Sequence, residues 1–298
     1  LFDLLHENGR GHEYAEREAV ASSMHLAGCA GACIAGGLLG EIDLGLPYLI
    51  TAATTFAAFL VALFMREERR LAERRVAGQP LGEELREWAA LMGASLLDAA
   101  RNRRLGWIIV YSAVVFALLR LAQYLYQPFL VDRGFAIWQT GLVLGGMYAV
   151  GALVAHRTDA LRRWLGEASL VWGMLALLAV SFLLLHQLAG PWVLPLLAVQ
   201  AATTGLYSPL VKPIVNREIR DSGRRATGLS VESIARRFAS GGGALIAAFY
   251  GAHSAIYLCG GLALGGLVSL VIASRYAPAP PARVRAERLE PAAPPTVD

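Results

Sequence analysis

Residues 66–104, REERRLAERRVAGQPLGEELREWAALMGASLLDAARNRR, are the only long polar stretch between apolar runs of this sequence. The stretch carries nine arginines. An arginine at the centre of a membrane costs about 2.5 to 3.5 kcal/mol on insertion scales, so this stretch must lie in water on one side of a membrane. Two apolar runs precede it and six follow it. The side of the membrane on which this stretch lies therefore determines the topology of the whole chain.

The composition excludes an ordinary soluble domain. Of the 298 residues, 56% are hydrophobic and only 17% are charged, which is typical of a polytopic membrane protein. The formal net charge of +4 does not indicate nucleic acid, because the arginines fall in short segments between apolar runs. We therefore expect membrane lipid as a partner and no nucleic acid.

Eight apolar runs match a hydrocarbon core of about 30 Å, which needs about 20 helical residues. We predict an all-α, polytopic membrane protein with eight transmembrane helices and a short turn at 251–254 before the last one. The predicted spans cover about residues 22–39, 46–65, 105–126, 140–155, 168–185, 191–211, 229–250 and 255–273.

The same runs divide the chain into four parts. Residues 1–65 hold two spans, 66–104 form a linker, 105–274 form a six-helix unit, and 275–298 are a Pro- and Arg-rich tail predicted to be disordered. Within the linker, apolar residues at three- and four-residue spacing predict an amphipathic helix at 80–100.

The distribution of basic residues predicts the orientation. Assigning alternate loops to one side places every lysine and arginine there except Arg120 and Arg133. By the positive-inside rule, the linker and the C-terminus are then cytoplasmic.

Small residues recur at every fourth position of the first span, at Gly28, Ala32, Gly36 and Gly40. This spacing lets helix backbones approach closely in lipid, so we expect that face to pack against another helix. The second span has few polar side chains and is predicted to face lipid.

Arg120 is an ionisable residue well inside the third span, where its cost requires a partner, water or a function. It begins a polar stripe at i, i+3, i+4 and i+7, and the sixth span carries a second stripe with the same spacing. Together they predict a shared water-filled substrate cavity lined by Arg120, Gln123, Tyr124, Gln127, Gln200, Thr203, Thr204 and Tyr207.

A structural interpretation stays open for both stripes. Arg120 would then extend toward the membrane interface, and the glutamines and threonines would join helices by hydrogen bonds. Glu232 and Arg236, at i and i+4 near the start of the seventh span, have the same two interpretations: a local ion pair, or candidate proton-coupling residues.

Catalytic chemistry finds no support in the sequence. It contains no nucleophile-elbow, zinc-protease, phosphate-loop or dinucleotide-binding motif. Cys29, Cys33 and Cys259 lie in apolar runs without a set of metal ligands. We therefore predict a transporter with no cofactor and no metal, and not an enzyme.

Four stretches carry a resemblance to the major facilitator superfamily (MFS) of transporters. Residues 1–18, LFDLLHENGRGHEYAERE, resemble the loop between that family's fourth and fifth spans in a subgroup of efflux proteins. Residues 119–135, LRLAQYLYQPFLVDRGF, resemble the end of its seventh span, and 224–230, RRATGLS, the entry to its eleventh. Residues 151–166, GALVAHRTDALRRWLG, resemble a degenerate copy of its cytoplasmic signature.

The resemblance implies an MFS transporter that lacks about its first four spans, so that residues 1–298 alone would not transport. It implies alternating access between two helical halves around a central cavity lined by the third and sixth spans here. It also implies a cytoplasmic gating motif formed by Gly151, Arg157, Asp159, Arg162 and Arg163.

The expected function is proton-coupled efflux of a small amphipathic or anionic molecule across a bacterial inner membrane. A sugar or metabolite porter, or an exchanger of the same fold, is the alternative within the family. A non-transport integral membrane protein is the alternative outside it.

Overall fold

The computed structural model describes residues 5, 9–64, 86, 90, 93, 102–185, 187–188, 192–218 and 225–276. Within these ranges the secondary structure is helical, which confirms the all-α class for this part of the chain. The predicted amphipathic helix at 80–100 and most of the linker and tail lie outside the described residues.

A 3₁₀ turn, Gly11–Glu13, precedes eight helices in the described residues: α1 Tyr14–Ile42, α2 Leu46–Leu63, α3 Arg103–Asp132, α4 Ile137–His156, α5 Thr158–Leu165, α6 Glu167–Leu185, α7 Val193–Glu218 and α8 Arg225–Tyr276.

Six of these helices, α1 to α4, α6 and α7, are long and apolar enough to cross a membrane. They coincide with the first six predicted spans. The region of the last two predicted spans is assigned to α8, which contains a shorter apolar stretch, Leu258–Val271. The count of eight spans and the four-part division stay predictions.

The helix ends follow from local side-chain chemistry. Asn102 begins α3, because its Oδ1 accepts hydrogen bonds from the backbone N–H groups of Arg104 and Leu105 at 3.2 and 3.3 Å. Gly134 and Gly166 follow α3 and α5 with φ of 85° and 81°, a conformation that other residues rarely adopt. Before α1, the pKa of Glu13 is lowered to about 2, chiefly by the hydrogen bond from Arg10.

The backbone of α8 reverses direction although the helical conformation is assigned without a break. Gly243 approaches Leu121, whereas Gly266 approaches Val114, so α8 runs first along α3 and then back. A straight helix of 52 residues would extend about 78 Å, far beyond α3. The reversal lies between Gly243 and Gly266. The turn predicted at 251–254 falls within this interval, although those residues are assigned as helical.

α1 and α4 pack with their backbones in contact, but through a different face of α1 from the one predicted. Gly37 lies against Gly141, and Ile34 lies against Gly145. Gly28 and Gly36 have open space where a side chain would be. Of the four residues at the predicted spacing, Gly40 is buried and lies near Ile137 of α4, so the prediction holds at this end of α1 only.

The apolar core lies among α3, α6, α7 and α8. Its fully buried side chains include Tyr111, whose hydroxyl donates to the carbonyl of Val171 at 2.7 Å across the α3–α6 contact. α2 has no buried residue, as its predicted position against lipid requires. The polar residues described next line or adjoin a space between α1 and this core.

Candidate functional site

A cavity of about 630 Å³ lies between α1 and the helices α3, α4, α7 and α8. Five of the residues singled out by the sequence line it: Arg120, Gln123, Thr204, Tyr207 and Arg236. Apolar side chains, among them Leu26 and Phe116, form other parts of the wall. A smaller cavity of about 90 Å³ adjoins it and shares Gln123, Tyr148 and Thr204.

Arg120 is held in the cavity wall by neutral partners. Its Nη1 donates to Gln123 Oε1 at 2.9 Å, and its guanidinium lies 5.5 Å from the centre of the Tyr124 ring. Gln123 Nε2 in turn donates to the Tyr148 hydroxyl of α4 at 3.1 Å. Among the described residues, Arg120 has no carboxylate partner, so its positive charge is uncompensated at the cavity.

The rest of the α3 stripe does not reach the cavity. Tyr124 and Gln127 are exposed and are not part of its wall. Of the four residues in the α3 stripe, only Arg120 and Gln123 therefore line the cavity.

The α7 stripe divides between core and cavity. Gln200 and Thr203 have no exposed surface, so they are packing residues and not cavity residues in this structure. Gln200 accepts from the Tyr126 hydroxyl at 2.6 Å and donates to Ser181 Oγ at 3.1 Å. The spacing identified a polar face correctly, but it did not indicate that helices α3 and α6 cover half of it.

Glu232 is buried among the described helices. Its Oε1 lies 2.9 Å from Arg236 Nε and accepts a hydrogen bond from Ser112 Oγ. Ser112 Oγ is also 2.8 Å from the Tyr207 hydroxyl, which lines the cavity. Arg236 lies 4.8 Å from the centre of the Phe116 ring. A continuous set of polar contacts therefore joins the cavity to a buried carboxylate.

A second buried carboxylate, Glu18, was missed by the sequence reasoning. It lines the cavity from α1 and binds two residues of α7: Lys212 Nζ at 2.5 Å and Ser208 Oγ at 2.9 Å. Glu18 and Lys212 were both predicted to lie in loops, because the first predicted span begins at residue 22 and the sixth ends at residue 211. A usable signal was present, since Glu18 with Ser22, and Ser208 with Lys212, stand four residues apart on one helical face.

The predicted gating motif contacts α7 at two points. Gly151 of α4 lies directly against Gly205, where a Cβ would be only 2.1 Å from the Gly151 carbonyl oxygen. Arg162 of α5 donates to the carbonyl of Pro209 at 2.8 Å and lies 3.5 Å from Asp159. The other two motif residues, Arg157 and Arg163, are exposed.

The contact of Arg162 has a specific cause in the sequence of α7. A helical carbonyl normally accepts from the N–H four residues later, and the residue four positions after Pro209 is Pro213, which has no N–H. The Pro209 carbonyl therefore lacks its helical partner. Arg162 supplies a charged donor in its place.

No group of three or more histidine, cysteine or acidic side chains suited to a metal ion occurs in the described part of the chain. Cys29, Cys33 and Cys259 are free thiols. The nearest polar neighbour of Cys29 is the His25 ring nitrogen at 3.8 Å, a contact too weak to define a site.

Long apolar helices around an open cavity with charged and polar groups in its wall are typical of an integral membrane protein of the transporter class. The family model of the Major Facilitator Superfamily matches residues 19–241, and the chain belongs to that superfamily. No curated protein matches the chain closely enough to extend this comparison. It is thus a membrane-embedded transporter with a lipid environment and a small-molecule substrate.

Proposed function

We propose that this protein is a secondary active transporter that works by alternating access, with the 630 Å³ cavity as its substrate site. The observation that carries the proposal is the composition of the cavity wall. α1 belongs to the predicted N-terminal part, whereas α3, α4, α7 and α8 belong to the predicted six-helix unit. A substrate held between two such parts is exposed to either side when they rock against each other.

The proposed substrate is a small amphipathic anion. Arg120 offers an uncompensated guanidinium, whose fork of donors suits a carboxylate or a phosphate. Phe116 and Leu119 extend the same wall with apolar surface. Efflux is the direction that the resemblance of residues 1–18 implies, and a porter or exchanger within the same family is the alternative.

Proton coupling is proposed on the basis of the buried carboxylate at Glu232. Glu232 is buried among the described residues, and its Oε1 lies 2.9 Å from Nε of Arg236, which lines the cavity. Residues 151–163 are proposed as the cytoplasmic gate, since Arg162 joins α5 to α7 beside the cavity. A bacterial inner membrane and a cytoplasmic C-terminus remain part of the proposal.

Flux in inverted membrane vesicles that carry the protein tests this function. A panel of radiolabelled amphipathic carboxylates and matched neutral amides should give proton-dependent flux of the carboxylates. Arg120→Ala should abolish that flux, and Arg120→Lys should retain part of it because the charge remains. Arg237→Ala, an exposed change on α8, serves as the matched control and should leave flux unchanged.

Normal insertion of all variants, checked by protease protection, is required for this comparison. Equal flux in wild type and Arg120→Ala would contradict the proposed substrate contact.

A further inference from the structure

The short helix α5 is tied to the membrane surface at both of its ends. It joins the end of α4 to the start of α6, and a single residue separates it from each of them. Both neighbours are long and apolar enough to cross a membrane. A helix connected this closely to two membrane-crossing helices lies where lipid headgroups meet water.

The inner face of α5 is fixed to the protein. Thr158 has no exposed surface, and its Oγ1 donates to the carbonyl of Val154 at 3.1 Å. Leu161 packs against the apolar core, and Arg162 donates to the carbonyl of Pro209. These contacts hold α5 in one orientation and so determine which side chains it presents outward.

The outer face of α5 combines apolar and basic side chains. Trp164 is 80% exposed and Leu165 is 43% exposed. Arg163, beside Trp164, is exposed as well, and so is Arg157, which precedes the helix by one residue and Trp164 by about two helical turns. At a membrane interface an indole ring contacts acyl chains while its N–H stays with headgroups and water. This face therefore suits a partner that is apolar at one end and anionic at the other.

The local charges leave the two exposed arginines without compensation. The carboxylates nearest to them in the sequence already face other arginines, in the pairs Asp159 with Arg162 and Glu167 with Arg217. Across the ranges that the structure describes, neither Arg157 nor Arg163 has an acidic partner. The surface around Trp164 thus carries a positive charge that an anion can balance.

We propose that Arg157, Arg163 and Trp164 form a binding site for an anionic phospholipid of the adjoining leaflet. The guanidinium groups bind the lipid phosphate, which their fork of donors suits, and the Trp164 ring packs against the upper part of the acyl chains. The site gives a role to the two residues of the predicted gating motif that are exposed. It is independent of the transported substrate and of the direction of transport.

Quenching of tryptophan fluorescence by brominated lipid tests this site in the whole protein. The protein is reconstituted in phosphatidylcholine nanodiscs that contain an increasing mole fraction of a lipid with bromine on the acyl chain close to the headgroup. The brominated lipid is phosphatidylglycerol in one series and phosphatidylcholine in the other. Each protein is compared with its own Trp164→Phe counterpart, so that the difference isolates Trp164 among the six tryptophans.

Trp164 should reach half-maximal quenching at a lower mole fraction of the brominated phosphatidylglycerol than of the brominated phosphatidylcholine. Arg157→Gln and Arg163→Gln should each increase the required mole fraction of phosphatidylglycerol by about 5-fold, the factor expected for one basic residue near an anionic surface. Arg163→Lys should retain most of the preference, because the charge remains. Arg237→Gln, an exposed change on α8, is the matched control and should leave the preference unchanged.

Equal quenching of Trp164 by the two brominated lipids would overturn the proposal, and so would a preference that persists when both arginines are replaced. Soluble glycerol phosphate should not displace the lipid; displacement would assign the arginines to a free phosphate ester and refute the lipid site. The remaining tryptophans serve as the internal control for folding, because their quenching should be the same in every variant.

Discussion

Gly37 of α1 and Gly141 of α4 bring two helix backbones into direct contact. A Cβ on Gly37 would lie 2.8 Å from Gly141 Cα, and a Cβ on Gly141 would lie 2.6 Å from Gly37 Cα. No side chain therefore separates the helices at this crossing. Since α1 carries Glu18, the position of one cavity wall depends on this contact.

Gly37→Ala should push α1 away from α4 and lower the stability by about 1 to 3 kcal/mol, the usual cost of overpacking. The neighbouring substitution Gly36→Ala is the matched control, because open space surrounds Gly36. It should be neutral or stabilise by about 0.5 to 1 kcal/mol through helix propensity. Unfolding in detergent measures both, and equal midpoints for the two variants would contradict the direct contact.

Gln200→Leu should destabilise the protein by about 1 to 3 kcal/mol, because it leaves the buried hydroxyl of Tyr126 without its acceptor. Adding Tyr126→Phe should cost less in this background than in the parent chain. A double-mutant cycle of unfolding free energies measures the coupling. Strictly additive losses would mean that the two side chains do not interact.

Arg162→Gln should cost about 1 to 2 kcal/mol, since a charged donor to the Pro209 carbonyl is lost. Pro213→Ala supplies the missing backbone N–H, so the same change should cost less in that background. Arg163→Gln, an exposed change on α5, is the control and should have little effect. If Arg162→Gln costs the same with and without Pro213, the explanation by the missing helical partner is wrong.

Arg236→Met should cost about 3 to 5 kcal/mol, because it leaves the Glu232 carboxylate buried without a cation. Adding Glu232→Gln removes that charge and should recover much of the loss. Arg237→Met changes the exposed neighbour and should be close to neutral. Unfolding in sodium dodecyl sulfate compares the four proteins; a double variant as unstable as Arg236→Met would argue against a buried ion pair.

Hydropathy predicted the central parts of the first six spans, and the helices that contain the first and the sixth extend beyond the predicted limits. The first predicted span begins at residue 22, whereas α1 begins at Tyr14, and the sixth ends at 211, whereas α7 ends at Glu218. Several charged residues at these two helix ends lower the local hydropathy, and Glu18 and Lys212 are among them. Glu18 and Lys212 each look unfavourable within a helix when considered alone, and a hydropathy scale does not register that each compensates the other.

Helical spacing likewise predicted faces without predicting what covers them. Thr204 reaches the cavity, while Thr203, one position earlier, has no exposed surface. The difference depends on how α7 is rotated against α3 and α6, which is set by tertiary packing. Similarly, Gly36 and Gly37 are equivalent in composition, and only the rotation of α1 selects Gly37 as the contact.

The last turns of α7 bind several helices through charged groups that water reaches. Arg217 lies beside Glu167 of α6 with its side chain 57% exposed, and Glu218 lies 3.0 Å from Arg104 of α3. The pair of Lys212 and Glu18 also joins α1 to this end, but salt screens it less because Glu18 is buried. The Debye length falls from about 8 Å at 0.15 M salt to about 3 Å at 1 M, which weakens such exposed pairs. The contact of Gly37 with Gly141 between α1 and α4 involves no charge. High salt should therefore weaken the contacts at the end of α7 and leave this glycine contact unchanged.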